Sequence, residues 1–311
     1  MKKLSPIKKP FAGFPAQDDL NAFEGQFAIV GVPYQSPYAN LPDYSTLNAP
    51  EVVREQSYKY SQTDHYDFDF DGDLFGGKSI NCLDCGDIVQ NDDPFEKYSQ
   101  MITSSISHLS EKGVVPTIIG GDHGTTIPVL RGFESIQDLC VVQIDAHLDW
   151  VDEKGGVRDG YSSPMRRAAE MSNVSSVVQI GLRSQGSATQ KEVDDAVASK
   201  KTLLIKAEEL HNAGIEAILN RIPKAAAYFI TIDADGLDPS IAPGCGYPTP
   251  GGVEYYQLFN LMRGLAKKGK MVGMDFVEIV PENDVQNLTS LFAARQILNF
   301  IGVVAHSDQL G

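Results

Sequence analysis

This sequence predicts an α/β fold built on a mostly parallel sheet, with helices covering both of its faces. Three observations point there. From residue 26 onward, short β-rich runs alternate with helix-like segments. The runs are nearly continuously apolar rather than alternating, as strands buried on both faces must be. No Pro/Gly-rich linker and no internal repeat divides the chain. Residues 1–311 therefore read as a single domain, with 1–25 as an N-terminal tail or arm.

In chain order the strand-like runs are "FAIVGVPY" (27–34), "SINCLDCGDI" (79–88), "VVPTIIGGD" (114–122), "LCVVQIDAHLD" (139–149), "SSVVQIGLRS" (175–184), "TLLIKAEEL" (202–210), "AYFITIDADG" (227–236) and "KMVGMDFVEIV" (270–280). Each is short and rich in β-branched or aromatic residues. Helical spacing falls between them, over 94–112, 162–172, 189–200, 214–221 and 253–268. The last is the clearest: Tyr255, Leu258, Phe259, Met262 and Leu265 recur every three or four residues, and Lys267, Lys268 and Gly269 supply a cationic last turn and a stop. Ser163-Pro164 reads as an N-cap followed by Pro at the first helical position. Eight such units suit a closed barrel as well as an open sheet, and periodicity does not choose between them.

Composition narrows the function. A net charge of −15 argues against nucleic acid, whose phosphates need basic patches, and allows cationic small molecules. No apolar run reaches the roughly 18 residues of a membrane span, and no apolar segment follows the basic "MKKLSPIKKP" to make it a signal peptide. Cys82, Cys85, Cys140 and Cys245 are too few for a disulfide framework in a chain of this length. The CxxC of "NCLDCGD" sits in a strand-like run and reads as packing thiols. The chain is expected to be cytoplasmic. The acid-aromatic run "DHYDFDFDGD" (64–73) reads as a solvated loop or hairpin.

Functional groups of parallel sheets gather at the C-terminal ends of strands, and three strand ends here carry ionisable clusters. "TIIGGDHG" brings His123; "QIDAHLD" brings Asp145, His147 and Asp149; "ITIDADGLDP" brings Asp233 and Asp235, with Asp238 beyond. In a strand, residues two apart share a face, so each cluster is expected to point one way. Four carboxylates repel one another unless cations neutralise them, and two divalent ions would balance their charge. Oxygen and nitrogen donors without thiolate suit Mn²⁺ or a similar ion. These six residues are the expected metal ligands.

The segments GGDH, DAHxD and "TIDADGLDPSIAPG…GG" (231–252), together with "QIGLRS" and "GMDFVEIVP", resemble the signatures of the arginase/agmatinase family, the ureohydrolases. The resemblance covers about residues 26–305. It implies a three-layer α/β/α fold around an open, mostly parallel eight-stranded sheet. It also implies two Mn²⁺ per chain (Ni²⁺ in their place is compatible), a bridging hydroxide, and a homo-oligomer, trimer or hexamer. His123 would bind the first metal and His147 the second; Asp145 and Asp233 would bridge; Asp149 would complete the first site and Asp235 the second. Glu278, in "DFVEIVP", matches the family's guanidinium-binding Glu. The expected substrate is a small cationic guanidino compound, cleaved to urea and an amine.

This sequence also departs from the family. The histidine usual after DAHxD is missing from "DEKGGVRDGYSSPMRRAAEM", and Tyr161 stands in its place. The loop "YQSPYANLPDYSTLNAPEVVRE" lacks the family's glycines and arginines, and Trp150-Val151 replaces the arginine-specific Asn segment. An agmatine-like compound or a guanidino acid, not arginine, is therefore expected. The expected catalytic residues are Asp149, Glu278 and Tyr161, and the expected substrate contacts Glu278, Trp150 and Tyr161. The missing histidine leaves one alternative, a catalytically weak metal-binding paralogue acting as a structural or partner subunit.

Overall fold

Each apolar run becomes one strand of one sheet. In this computed structural model, which describes residues 4–40 and 42–310, the strands are β1 (Phe27–Gly31), β2 (Cys82–Asp87), β3 (Val115–Ile119), β4 (Leu139–Ile144), β5 (Val174–Leu182), β6 (Thr202–Lys206), β7 (Ala227–Asp233) and β8 (Lys270–Val277). They lie in the order β2-β1-β3-β8-β7-β4-β5-β6. Every pairing is parallel, so the sheet is parallel throughout rather than mostly so. It is open, which excludes the barrel.

The helices are α1 (Ala49–Ser57), α2 (Phe95–Glu111), α3 (Thr126–Arg131), α4 (Pro164–Glu170), α5 (Gln190–Ala198), α6 (Ala207–Ala213), α7 (Ile215–Arg221), α8 (Tyr255–Lys268) and α9 (Leu288–His306). Strand side chains alternate between two cores. Cys140, Val142 and Ile144 face the core completed by α1 and α6–α9, while Leu139 and Val141 face the one completed by α2–α5. Three layers result. Cys82 and Cys85 fall on opposite faces of β2, one in each core, so they cannot pair, and burial pushes both thiols up.

Three expectations change in detail. The run 202–210 is strand only to Lys206; Glu208 and Glu209 then favour a helix start, where acids complement the dipole. Ser163 precedes α4 with Pro164 at its first position, but its hydroxyl makes no capping bond. The stretch Val285–His306, which contains α9, is long and apolar enough to cross a membrane by length and composition; 83% of its apolar 18-residue window is buried inside the molecule, where α9 packs in one of the two cores.

Residues 5–20 lie along the β2 edge. Ser5 and Ala16 bridge to Asp87 and Asp84, and Phe11 and Leu20 are buried, which covers an edge otherwise open to pairing. Loop 64–73 exposes Tyr66 and Phe68 at its tip, but Asp67 and Asp69 are pinned by Arg295 of α9 at 2.6 and 2.8 Å.

The sheet order does most to build the site. β3, β8, β7 and β4 are four consecutive central neighbours, and Ile119, Phe276, Ile232 and Ile144 stand level across them. Four strands span only roughly 14 Å at ~4.8 Å spacing, so whatever follows those residues converges.

Candidate metal centre

His123 follows β3 through Gly120-Gly121. A Cβ on Gly121 would lie 2.0 Å from the Tyr34 carbonyl oxygen, so only glycine lets the backbone pass. Asp122 then caps the short turn His123–Thr125, accepting from Gly124 N–H at 3.0 Å, and holds Ser36 through its N–H and hydroxyl. His123 Nε2 lies 3.0 Å from Thr231 Oγ1, which is 3.2 Å from Thr126 Oγ1, which donates to Asp275 Oδ2 at 2.8 Å. The carboxylate accepts at the end of this chain, so each hydroxyl accepts from the group before it, and the imidazole donates its Nε2–H. The other nitrogen, Nδ1, then points into the site as the atom available to a metal.

Three carboxylate oxygens surround that nitrogen: Asp149 at 2.9 Å, Asp233 at 3.1 Å and Asp145 at 3.2 Å. Nδ1 is fully buried among them and makes no well-directed hydrogen bond to any one of the three. A second group forms beside it, with His147 Nδ1 at 3.1 Å from Asp235 and 3.6 Å from Asp145. The donor atoms of His123, Asp145 and Asp149 lie within 4.8 Å of one another, as do those of Asp145, His147 and Asp235. Ions held at about 2.1–2.5 Å place opposite ligands about 4–5 Å apart. Both groups fit a divalent cation, and Asp145 belongs to both.

The electrostatics call for that charge. Burial, and then repulsion from Asp149, Asp233 and Asp235, hold the Asp145 carboxyl well above its usual range. Burial and Asp235 push Asp233 up to about 7. Burial works to lower His123, but Asp145, Asp149 and Asp233 outweigh it and leave the value well above normal. The hydrogen bond to Asp235 raises His147 to about 10. Without metal, protons must supply the missing positive charge.

All six expected ligands are brought together, though not by strand alternation. β4 ends at Ile144, so Asp145, His147 and Asp149 lie in the loop beyond it, and Asp235 sits in the short turn Ala234–Gly236. Asp149 adopts φ 49° and Glu278 φ 61°, left-handed conformations that cost a non-glycine residue of order 1 kcal/mol and concentrate at functional sites. Reach came from loop geometry, which pattern reading cannot resolve.

A cavity of about 270 Å³ opens over these groups, lined by Asp149, Asp233 and Glu278 on its acidic side and by Tyr44, Lys154 and Tyr161 elsewhere. Glu278 Oε1 accepts from His123 N–H at 2.8 Å, which leaves the second oxygen for a ligand. Burial, then Asp233 and Asp122, raise the Glu278 carboxyl well above normal. Tyr161 lines the cavity, its ring edge-on to Tyr38 at 4.8 Å, and burial and Glu278 raise its phenol. Trp150 does not line the cavity: it is 3% exposed and belongs to the apolar core that also holds Leu148 and Met165. It is a core residue rather than the expected substrate contact. Asp238 is structural, accepting from Ser240, Gly251 and Gly252 N–H groups.

Several supporting residues went unread in the sequence. Gln143 donates to Asp145 at 2.5 Å and is held by Gln179 at 2.6 Å; the parallel "VVQID" and "VVQIG" strings were the available signal, and they pair in register. Arg183 donates to the carbonyls of Asp235 at 2.7 Å and Thr249 at 2.5 Å, bracing the Asp235 turn. Thr126, Thr231 and Asp275 have no local signature, since their role exists only where the start of α3 meets β7 and β8.

Comparison with known proteins agrees with this geometry. A family model described as the arginase family matches residues 25–302. A guanidinopropionase of Pseudomonas aeruginosa is 32% identical, over 96% of this chain and 93% of its own. A guanidinobutyrase of the same organism is 30% identical, over 73% and 72%. Among solved structures, the proclavaminate amidino hydrolase of Streptomyces clavuligerus superposes with a TM-score of 0.81 at 25% identity, covering 99% of this chain and 100% of that one.

Proposed function

This chain belongs to the arginase family and is a metal-dependent ureohydrolase; within that class we propose that it cleaves a small guanidino compound other than arginine, giving urea and an amine, at a binuclear metal centre. The observation that carries the reading is the sharing of Asp145 between two donor groups, one of them closed around an orphaned imidazole nitrogen. His123 and Asp149 would hold one ion and His147 and Asp235 the other, with Asp145 and Asp233 between them. Oxygen and imidazole donors suit Mn²⁺, with Ni²⁺ compatible. Such a pair, when bound, supplies Lewis acidity and lowers the pKa of water towards neutrality.

The chain's own residues would do the rest. Glu278 keeps one oxygen on His123 N–H and turns the other, with its charge, towards a guanidinium whose planar N–H groups suit carboxylate. That fixes the trigonal carbon against the ligand cluster, and orientation of this kind removes much of the entropic barrier. Tyr161, its phenol raised above the ordinary value, stays protonated at neutral pH and donates a hydrogen bond rather than relaying protons. Arginine is disfavoured because the first loop and the segment after Asp149 lack the usual residues; Tyr44 of that loop instead walls the cavity. The two Pseudomonas relatives, named for guanidino acids, support a non-arginine substrate.

The test is urea release from a panel of guanidino compounds after loading with Mn²⁺ or Ni²⁺. The proposal expects turnover of a compound other than arginine, with arginine poor. Arginine as the best substrate would refute the substrate reading. Full metal content with no urea from any compound would instead identify a metal-binding subunit of lost activity.

A further inference from the structure

We propose that Lys154 makes this cavity select substrates with a free carboxylate at the end remote from the guanidinium, an ω-guanidino carboxylate rather than a guanidino amine. This rests on the ureohydrolase reading and narrows it.

The placement of Lys154 is built in. Lys154 and Val157 face each other across a two-residue turn, with Lys154 N–H to Val157 O at 2.9 Å and Val157 N–H to Lys154 O at 3.1 Å. Gly155 and Gly156 between them have φ 62° and 85°, the left-handed pair that such tight hairpin turns require. The turn holds the lysine stem beside the cavity, and two rings fix its head. Nζ lies 5.1 Å from the ring centroids of both Tyr38 and Tyr161, and 3.4 Å from the Tyr161 hydroxyl.

Its charge is unspent. The other cations of this segment, Arg158, Arg166 and Arg167, are tied to Asp152 and Glu170. Lys154 makes no ion pair among the described residues, and it is the one Lys or Arg side chain lining the cavity. The cavity is therefore dipolar: buried carboxylates and Glu278 at its floor, an exposed ammonium at its outer end. With two divalent ions balancing the four aspartates, Glu278 remains to attract a guanidinium, and Lys154 to attract an anion. A guanidino acid lies along this field. Agmatine, cationic at both ends, sets its ammonium against Lys154. At about 270 Å³ the cavity also falls just below the ~300–1,000 Å³ of drug-sized sites, which suits a short chain.

The test compares kcat/KM of the metal-loaded protein on 3-guanidinopropionate, 4-guanidinobutyrate, their methyl esters and agmatine. Wild type should prefer an acid over its ester and over agmatine by about tenfold or more, as loss of one charge-assisted contact implies. Lys154→Ala should erase that preference through KM rather than kcat, Lys154→Arg should retain it, and Lys154→Glu should turn it towards agmatine. Equal rates on acid and ester, or the same preference in all four proteins, would overturn the inference. Urea from agmatine alone would overturn it while leaving the ureohydrolase reading intact; urea from no compound would overturn both. The ester comparison uses the unaltered protein, so a misfolded variant cannot decide the outcome.

Discussion

Replacing Glu278 with Gln changes one atom and tests the proposed orientation of the substrate. The side chain keeps its shape and its left-handed backbone, φ 61°, which Gln adopts as readily as Glu. Its carbonyl oxygen can still accept from His123 N–H, the 2.8 Å bond that anchors Glu278 Oε1. The amide nitrogen must then face the cavity, where it presents N–H donors to a guanidinium that is itself all donors. The variant loses both the charge and the free acceptor of a partly desolvated pair. Such losses cost about 2–5 kcal/mol, or about 30- to 4,000-fold at 1.4 kcal/mol per decade. Glu278 belongs to neither donor group, so metal content should hold. Steady-state urea release gives kcat/KM, and metal analysis of the same sample gives occupancy. A kcat/KM within about threefold of wild type, with both ions retained, would remove Glu278 from substrate binding.

Tyr161→Phe should cost only about tenfold in kcat/KM, the value of a hydrogen bond from a neutral donor; a loss above about a hundredfold with metals intact would make the phenol an acid catalyst. Thr231→Val interrupts the chain that fixes the His123 tautomer and should weaken binding of the ion at His123 by about 10- to 100-fold in competition with a chelator; unchanged affinity would show that the tautomer needs no support. Stability of the chelated protein should fall as pH rises. Asp233 is raised from an unfolded value near 3.9 to about 7, and His147 from near 6.5 to about 10, so in both the folded state binds protons more tightly and loses that advantage across those windows. Ions replace the protons, so melting curves should show Tm declining between about pH 5 and 9 only without metal; parallel curves for the two forms would contradict the account.

Much of the fold was legible because burial on both faces leaves no choice of pattern: all eight strands were readable as short apolar runs. The long C-terminal helix α9 was not, since a helix apolar almost all round has no stripe to detect. At the site, residue type betrayed the ligands: Asp145, His147 and Asp149 make no sense beside an apolar strand unless something cationic joins them. The reason they meet was misread, because the left-handed turn at Asp149 lies in backbone geometry and not in composition. Trp150, which adjacency to a ligand suggested for the cavity, is buried in the core instead. Lys154 stood in plain view in "KGGV", but only the folded turn aims it.

The central claim is that two donor groups sharing Asp145 hold two ions. Metal analysis of purified, Mn²⁺-loaded protein, alongside Asp145→Asn treated identically, tests it most directly. The account predicts about two ions per chain in the wild type and loss of metal and urea release together in the variant. One ion or none in the wild type, or two in Asp145→Asn, would contradict it.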